Sequence, residues 1–198
     1  MTFSESIIEI QGFMDKGGFV MPPLIILTMI LWYSLGYRYW ILRRRGKDTV
    51  RQLLVKIAKQ PAHAPRDVLE QAVAVGLAIK SSAPHYLRRR LDAEFWAIDK
   101  ELGKHSAVIK TIVMIAPLMG LLGTVTGMIE TFNSLAEMAL FTQSGGIAGG
   151  IAQALLTTQM GLSVAIPGVL VKSMLDRKQR KIQAELEQIK DLISIDVR

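Results

Sequence analysis

The stretch IAPLMGLLGTVTGMIETF, residues 115–132, decides the fold class, because it is apolar enough to lie in a membrane and Glu130 is its single ionisable residue. An α-helix needs about 20 apolar residues to cross the hydrocarbon of a bilayer. Residues 111–129 lack charged side chains, and so do residues 17–37 and 138–171. The sequence therefore predicts an all-α membrane protein with three transmembrane helices that extend into a cytoplasmic helical bundle.

The charges are distributed unevenly around these three stretches. Basic clusters follow the first stretch at 38–47, precede the second at 104–110 and follow the third at 172–181, whereas residues 132–147 carry only Glu137. This is the positive-inside pattern of membrane proteins, so the net charge of +7 favours a membrane protein over a nucleic-acid-binding one. It predicts a periplasmic N-terminus and a cytoplasmic C-terminus. Because the N-terminal residues are acidic, no cleaved signal peptide is expected.

The apolar pattern divides the chain into seven segments. They are a periplasmic interfacial amphipathic helix at 1–16, transmembrane helices at 17–40, 109–132 and 147–171, a cytoplasmic helical region at 41–108, a short periplasmic loop at 133–146 and a cytoplasmic C-terminal helix at 172–198. No proline separates the last cytoplasmic helix from the second span, so one long helix is expected there. The C-terminal apolar stripe suits either a coiled coil or packing on the chain's own bundle. Its members are Leu175, Ile182, Leu186, Ile189 and Ile193.

Small residues recur at helical spacing in the second and third spans. Gly120, Thr124, Gly127 and Thr131 share one helix face. Helices in lipid associate where small residues allow close backbone approach, so these spans should pack tightly against other helices. The predicted packing positions are Gly120, Gly123, Gly127, Gly146, Gly150 and Gly161.

The third span also contains polar side chains, which are Gln153, Thr157, Thr158, Gln159 and Ser163. A polar group without a hydrogen bond in hydrocarbon costs roughly 2–7 kcal/mol. Gln153 and Thr157 lie on one side of the helix, and Gln159 and Ser163 lie on another. One side is therefore expected to face a neighbouring helix or subunit, and the other a polar path through the membrane.

Residues 116–132, APLMGLLGTVTGMIETF, together with residues 149–168, GGIAQALLTTQMGLSVAIPG, resemble the two-span signature of the MotA/TolQ/ExbB proton-channel family and are closest to its ExbB branch. The resemblance implies a multi-pass protein of the bacterial inner membrane that forms a homo-oligomer, a pentamer in ExbB-like proteins. Its second and third spans would line a pore around an ExbD-like single-span partner that carries a membrane aspartate. A TonB-like energy transducer would receive the work, and no cofactor is implied.

The resemblance also implies roles for individual residues. Thr124 and Thr158 match the family's pore threonines, with Thr157 beside them, and Pro117 and Pro167 match the prolines that shape the inner ends of the spans. Many ExbB proteins have a glutamate at the position of Gln153, which cannot ionise. Glu130 is either its substitute or a solvated charge at a helix end.

Other classes of protein explain the sequence less well. The three histidines, His63, His85 and His105, are isolated and accompany no catalytic or metal-binding motif, so an enzyme is not expected. A non-conducting membrane scaffold would account for the glycines but not for the polar residues of the third span. A MotA-like stator would have four spans. A TolQ-like role in envelope maintenance stays open, because the signature residues are largely shared.

Overall fold

The computed structural model describes residues 17–43, 49–59, 65, 67–82, 87–138 and 145–195. Nearly all of them are helical, and no strand occurs within these ranges, which confirms the predicted all-α fold. The helices are α1 (Met21–Ile41, preceded by a 3₁₀ turn at Gly18–Val20), α2 (Val50–Lys59), α3 (Val68–Ser82), α4 (Leu87–Leu102), α5 (Ser106–Met138) and α6 (Gly145–Ile195). The predicted interfacial helix at 1–16, and residues 139–144 of the predicted loop, lie outside the described residues.

Three helices are long and apolar enough to cross a membrane, and their apolar segments lie in α1, α5 and α6. Helix α6 has 51 residues, which corresponds to about 76 Å at the α-helical rise. This length exceeds the roughly 30 Å of hydrocarbon in a bilayer. Helix α6 therefore extends well beyond the membrane. It contains both the third span and the C-terminal helix, which the sequence predicted as two segments, in one continuous helix.

The prediction of a single helix from the cytoplasmic region through the second span is wrong. Helix α4 ends at Leu102, α5 begins at Ser106, and His105 has a left-handed φ of 64°. The amide of Ser106 donates to the carbonyl of Gly103 at 3.1 Å, which closes a tight turn. A non-glycine residue with positive φ ends an α-helix without any proline, so the absence of proline was an insufficient criterion.

The chain divides into two compact units. The span unit comprises residues 1–35 and 107–172, and α1, α5 and α6 meet within it at Gly168. A Cβ atom on Gly168 would lie 2.9 Å from Val113 Cγ2 and 3.1 Å from Leu31 Cδ2, so the three helices approach closely there. Elsewhere this unit exposes large apolar side chains, including Phe19, Met29, Leu118, Phe132 and Leu155, each more than 60% exposed. Lipid or another protein chain can cover such a surface.

The charged unit comprises residues 36–106 and 173–198. Its core contains Leu91, Phe95 and Leu102 of α4. All members of the C-terminal stripe, Leu175, Ile182, Leu186, Ile189 and Ile193, are buried within the single chain. The structure therefore selects packing on the chain's own bundle over a coiled coil for this stripe.

Candidate functional site

The main feature of the span unit is a close contact between the antiparallel helices α5 and α6, which we call the seam. It is formed by Gly120, Gly123 and Gly127 of α5 and by Gly150, Ala154, Thr157 and Gly161 of α6. A Cβ atom on Gly127 would lie 2.6 Å from the Gly150 carbonyl oxygen, and one on Gly161 would lie 2.7 Å from the Ala116 carbonyl oxygen. Backbone atoms cannot move aside, so only glycine permits this approach. Five of the six predicted packing glycines thus bring together two helices of one chain, and Gly146 lies in the first turn of α6.

Thr157 lies inside the seam and is fully buried. Its Oγ1 donates to the carbonyl oxygens of Gln153 and Ala154, each at 3.0 Å, and its side chain occupies the space that Gly123 leaves open. The sequence grouped Thr157 with the polar lining of a pore. The structure gives it a packing position between two helices of one chain, and its place in a pore lining stays a prediction.

Thr158 and Thr124 are half-buried and lie at one edge of the seam, beside Gly120. Thr158 Oγ1 is 3.2 Å from the Gly120 carbonyl oxygen across the seam and 3.3 Å from the Ala154 carbonyl oxygen. Thr124 follows Gly120 by about one helical turn, and its Oγ1 donates to the Leu121 carbonyl at 2.6 Å. We call this edge, defined by Thr124 and Thr158, the threonine flank.

Glu130 and Gln153 meet across the seam. Gln153 Nε2 donates to Glu130 Oε1 at 3.3 Å, and Gly18, with φ of 61°, lies against the Gln153 amide. Glu130 follows Thr124 by six residues, which places the two about 120° apart around α5. The Glu130–Gln153 pair, which we call the carboxylate flank, therefore lies on the opposite edge of the seam from the two threonines.

Most hydroxyl groups in the spans donate to carbonyls of their own helix. Thr28 donates to Leu24, Thr126 to Gly123, Thr131 to Gly127 and Ser163 to Met160, at 2.7–3.0 Å. Threonine and serine can satisfy themselves in this way inside a helix. The hydroxyls of the third span therefore need fewer outside partners than the sequence predicted. The polar groups that can face a path through the membrane are those of the threonine and carboxylate flanks.

Pro117 and Pro167 lie inside α5 and α6, and both helices continue through them. Each proline lacks the amide that would bond to the carbonyl four residues earlier. The carbonyls of Val113 and Ser163 therefore lose their usual helical donor. These are the positions where the two backbones bend most easily.

A buried arginine in the charged unit was not singled out from the sequence. Arg38 is 1% exposed, its Nη1 lies 2.7 Å from Asp176 Oδ1, and its Nη2 donates to Gln179 Oε1. By sequence, Arg38 is one of several basic residues that follow the first span. The spacing of Asp176 and Gln179, three residues apart after the third span, was the available signal, since such residues share a helix face.

A second ionic cluster in the charged unit joins Lys190 to two acids. Lys190 Nζ lies 2.9 Å from both Asp92 Oδ1 and Glu187 Oε1. Burial acts to lower the pKa of Lys190, but hydrogen bonds and the negative charges of Glu187 and Asp92 outweigh it and raise the pKa above its ordinary value. Within the described ranges, no group of three or more His, Asp or Glu side chains could hold a metal ion.

Comparison with known proteins supplies a context for this geometry. The model of the family described as "MotA/TolQ/ExbB proton channel family" matches residues 60–188. The biopolymer transport protein ExbB of Salmonella typhimurium is 34% identical over 86% of this chain and 77% of its own length. The biopolymer transport protein ExbB-like 1 of Synechocystis is 34% identical over 79% of this chain, which spans 66% of that protein. ExbB of Aquifex aeolicus is 36% identical over 60% of this chain and 78% of its own length.

Proposed function

Because the chain belongs to the MotA/TolQ/ExbB proton channel family, we propose that this multi-pass membrane protein is an ExbB-like subunit of a proton-driven motor in the bacterial inner membrane. With an ExbD-like partner that carries a membrane aspartate, it converts the proton motive force into mechanical work. A TonB-like transducer delivers that work to outer-membrane import. In this role the protein is a channel and motor subunit and not an enzyme.

The observation that carries the proposal is the shared position of Thr124 and Thr158. They lie on different helices but on the same flank of the seam, beside Gly120, and both side chains stay half-buried and not fully enclosed. A helix passing this flank would meet two hydroxyls in an otherwise apolar surface. Hydroxyls that can both donate and accept are suited to contact with a carboxyl group that gains and loses a proton.

The proposed mechanism needs a proton carrier from a partner, because the apolar stretches of this chain lack acidic side chains. The three uncharged stretches contain no acid, so the subunit by itself has no proton carrier at mid-membrane. A charge that crosses the membrane yields about 2.3 kcal/mol per 100 mV. When the partner's aspartate is protonated, its neutral side chain can pass the threonine flank, and its release of the proton makes the step directional. Repeated steps rotate the partner relative to the surrounding ring.

Assembly into a ring follows from the surface of the span unit. Large apolar side chains cover α1, α5 and α6 outside the seam, including Leu118, Phe132 and Leu155. Five copies, the number implied by the resemblance, would cover part of this surface with each other and the rest with lipid. Basic residues at the inner ends of the spans favour a periplasmic N-terminus and a cytoplasmic C-terminus.

Replacement of Thr158 by valine tests the proposal. Thr158→Val keeps the volume of the side chain but removes the hydroxyl, so uptake of labelled ferric siderophore should fall about tenfold, equivalent to about 1.4 kcal/mol of barrier. The initial rate is measured in a strain that lacks the gene and is complemented at equal protein abundance. Thr126→Val is the matched control, because Thr126 is a half-buried α5 hydroxyl bonded to its own helix and lies away from the threonine flank.

Other results would point to other functions. Normal uptake with Thr158→Val contradicts the role of the threonine flank. If deletion of the gene leaves uptake unchanged, with no paralogue compensating, the iron-import function is lost and a TolQ-like envelope role is favoured. If Thr158→Val and neutralisation of the partner's aspartate both leave proton flux through the purified complex intact, the protein is not the motor subunit proposed.

The carboxylate flank yields a second prediction. Because Gln153 and Glu130 are hydrogen-bonded across the seam, we infer that Glu130 supplies the carboxylate that many ExbB proteins have at position 153. Glu130→Gln should lower uptake about tenfold, the effect of losing one charge-assisted hydrogen bond. Adding Gln153→Glu to that variant should restore most of the rate. The control is Glu94→Gln, which neutralises an exposed glutamate on α4. Wild-type uptake with Glu130→Gln would show instead that Glu130 is a solvated helix-end charge.

A further inference from the structure

A cavity of about 280 Å³ lies in the charged unit, apart from the seam and its flanks. Three helix ends form it: the end of α1 with Trp40, Ile41 and Arg43 just beyond it, the start of α3 with Asp67 before it, and the end of α4 with Glu101. At about 30 Å³ per water, it holds roughly nine water-sized groups. That is room for a small polar headgroup and not for acyl chains.

The charges around the cavity are mixed and are not paired with each other. Among the lining residues that the structure describes, Arg43 provides one cation, and Asp67 and Glu101 provide two carboxylates. Among the described residues, no ion pair joins Arg43 to either acid. Asp67 Oδ1 accepts the Glu70 amide at 2.9 Å and so caps α3, while the other carboxylate oxygen remains able to accept a donor from a ligand. A ligand with one anionic and one cationic group matches this arrangement.

The cavity lies where α1 leaves its apolar segment. The uncharged stretch of α1 ends at Tyr37, so Trp40 and Ile41 lie about 5–6 Å further along the helix, at the level expected for lipid headgroups. Trp40 is 72% exposed, and tryptophan is enriched at this depth, where its ring meets both lipid and water. Arg43 follows within about one turn, at the depth of the lipid phosphates.

We propose that this cavity binds the headgroup of a phosphatidylethanolamine molecule from the adjoining leaflet. Arg43 pairs with the phosphate, and Asp67 and Glu101 accept hydrogen bonds from the primary ammonium. Trp40 and Ile41 contact the glycerol and the upper acyl chains. Phosphatidylglycerol offers hydroxyl donors but no cation, so both carboxylates would lack a counter-charge and would face a phosphate of like charge. Phosphatidylcholine has a quaternary ammonium that donates no hydrogen bond.

Native mass spectrometry of the full chain in detergent tests the proposal, with each of the three phospholipids added at equal concentration. Phosphatidylethanolamine adducts should exceed phosphatidylglycerol adducts about tenfold, the effect of one charge-assisted hydrogen bond. Glu101→Gln should remove that preference, and Asp67→Asn should reduce it while still capping α3, because asparagine is an equally good cap. Arg43→Gln should weaken binding of phosphatidylethanolamine about tenfold. Glu94→Gln, on α4 outside the cavity, is the control and should bind like the wild type.

Three results would overturn the proposal. The first is equal binding of phosphatidylethanolamine and phosphatidylglycerol to the wild type. The second is an unchanged preference in both Glu101→Gln and Asp67→Asn, with helical content by circular dichroism equal to that of the wild type. The third is displacement of the lipid by soluble phosphoethanolamine at the same concentration, which would show that the cavity takes a free solute and not a membrane lipid.

Discussion

Gly150→Ala should lower the unfolding free energy of the detergent-solubilised chain by about 1–3 kcal/mol, the cost of overpacking a close contact. A Cβ atom on Gly150 would lie 2.6 Å from the Gly127 carbonyl oxygen and 2.9 Å from the Thr131 amide nitrogen. Both are backbone atoms, so α5 and α6 must separate along the seam. The separation would also stretch the contact between Thr158 Oγ1 and the Gly120 carbonyl, now 3.2 Å. The readout is the thermal unfolding midpoint followed by circular dichroism.

The adjacent residue provides the control for this prediction. Among the described residues, no atom other than those of the neighbouring residues and the surrounding helix backbone lies within 4 Å of a Cβ placed on Gly149. Gly149→Ala and Gly150→Ala gain the same helix propensity, about 1 kcal/mol each, so the difference between them isolates the steric effect. Gly149→Ala should unfold at or slightly above the wild-type midpoint. Equal midpoints for the two variants would mean that the seam is not packed as described.

Asp176→Leu should lower the free energy of unfolding by about 3 kcal/mol, which is the second large loss of stability that we expect. Arg38 is 1% exposed and Asp176 is 23% exposed, so removal of the aspartate leaves an almost fully buried guanidinium without its counter-charge. Breaking a buried ion pair from one side costs about 3–5 kcal/mol, and the partial exposure of Asp176 places the expectation at the lower end. The thermal unfolding midpoint, measured as for the seam variants, is again the readout.

The double variant Arg38→Met, Asp176→Leu separates the charge effect from other losses. With both charges replaced by apolar side chains, no uncompensated charge remains, and most of the lost stability should return. A double variant as unstable as Asp176→Leu would attribute the loss to other contacts of Asp176. A loss below about 1 kcal/mol for Asp176→Leu alone, the range of solvated surface pairs, would show that water reaches the guanidinium.

The order of the membrane-spanning and charged helices along the chain was predictable from the sequence, because mean hydropathy and charge are properties of whole segments. The three apolar stretches correspond to α1, α5 and α6, and the buried stripe of Leu186, Ile189 and Ile193 follows directly from helical periodicity. The interruption at residues 103–105 was not predictable from these signals. It depends on one backbone dihedral, the φ of 64° at His105, and although histidine is enriched among residues with positive φ, most histidines do not adopt it.

The residue types of the candidate site were predictable from the sequence, but the direction that each side chain faces was not. Thr157 and Thr158 are neighbours of the same type, and the sequence cannot tell which of them faces the seam. The structure buries Thr157 completely and leaves Thr158 half-buried, because a helix turns about 100° per residue. The burial of Arg38 was not predictable either, because a basic residue that follows a span is expected to be solvated. The contacts of Arg38 with Asp176 and Gln179 show that it is buried and paired.

The hydroxyl groups that bond to their own helix have a consequence for a single chain in the membrane. Thr124, Thr126 and Ser163 each satisfy their hydrogen-bonding needs with a carbonyl three residues away. A single chain in the bilayer therefore leaves none of these three hydroxyls without a hydrogen-bond partner. Rotation about one side-chain bond then releases the hydroxyl to a new neighbour. The same three residues are thus satisfied within one chain and can still bond to a neighbouring chain.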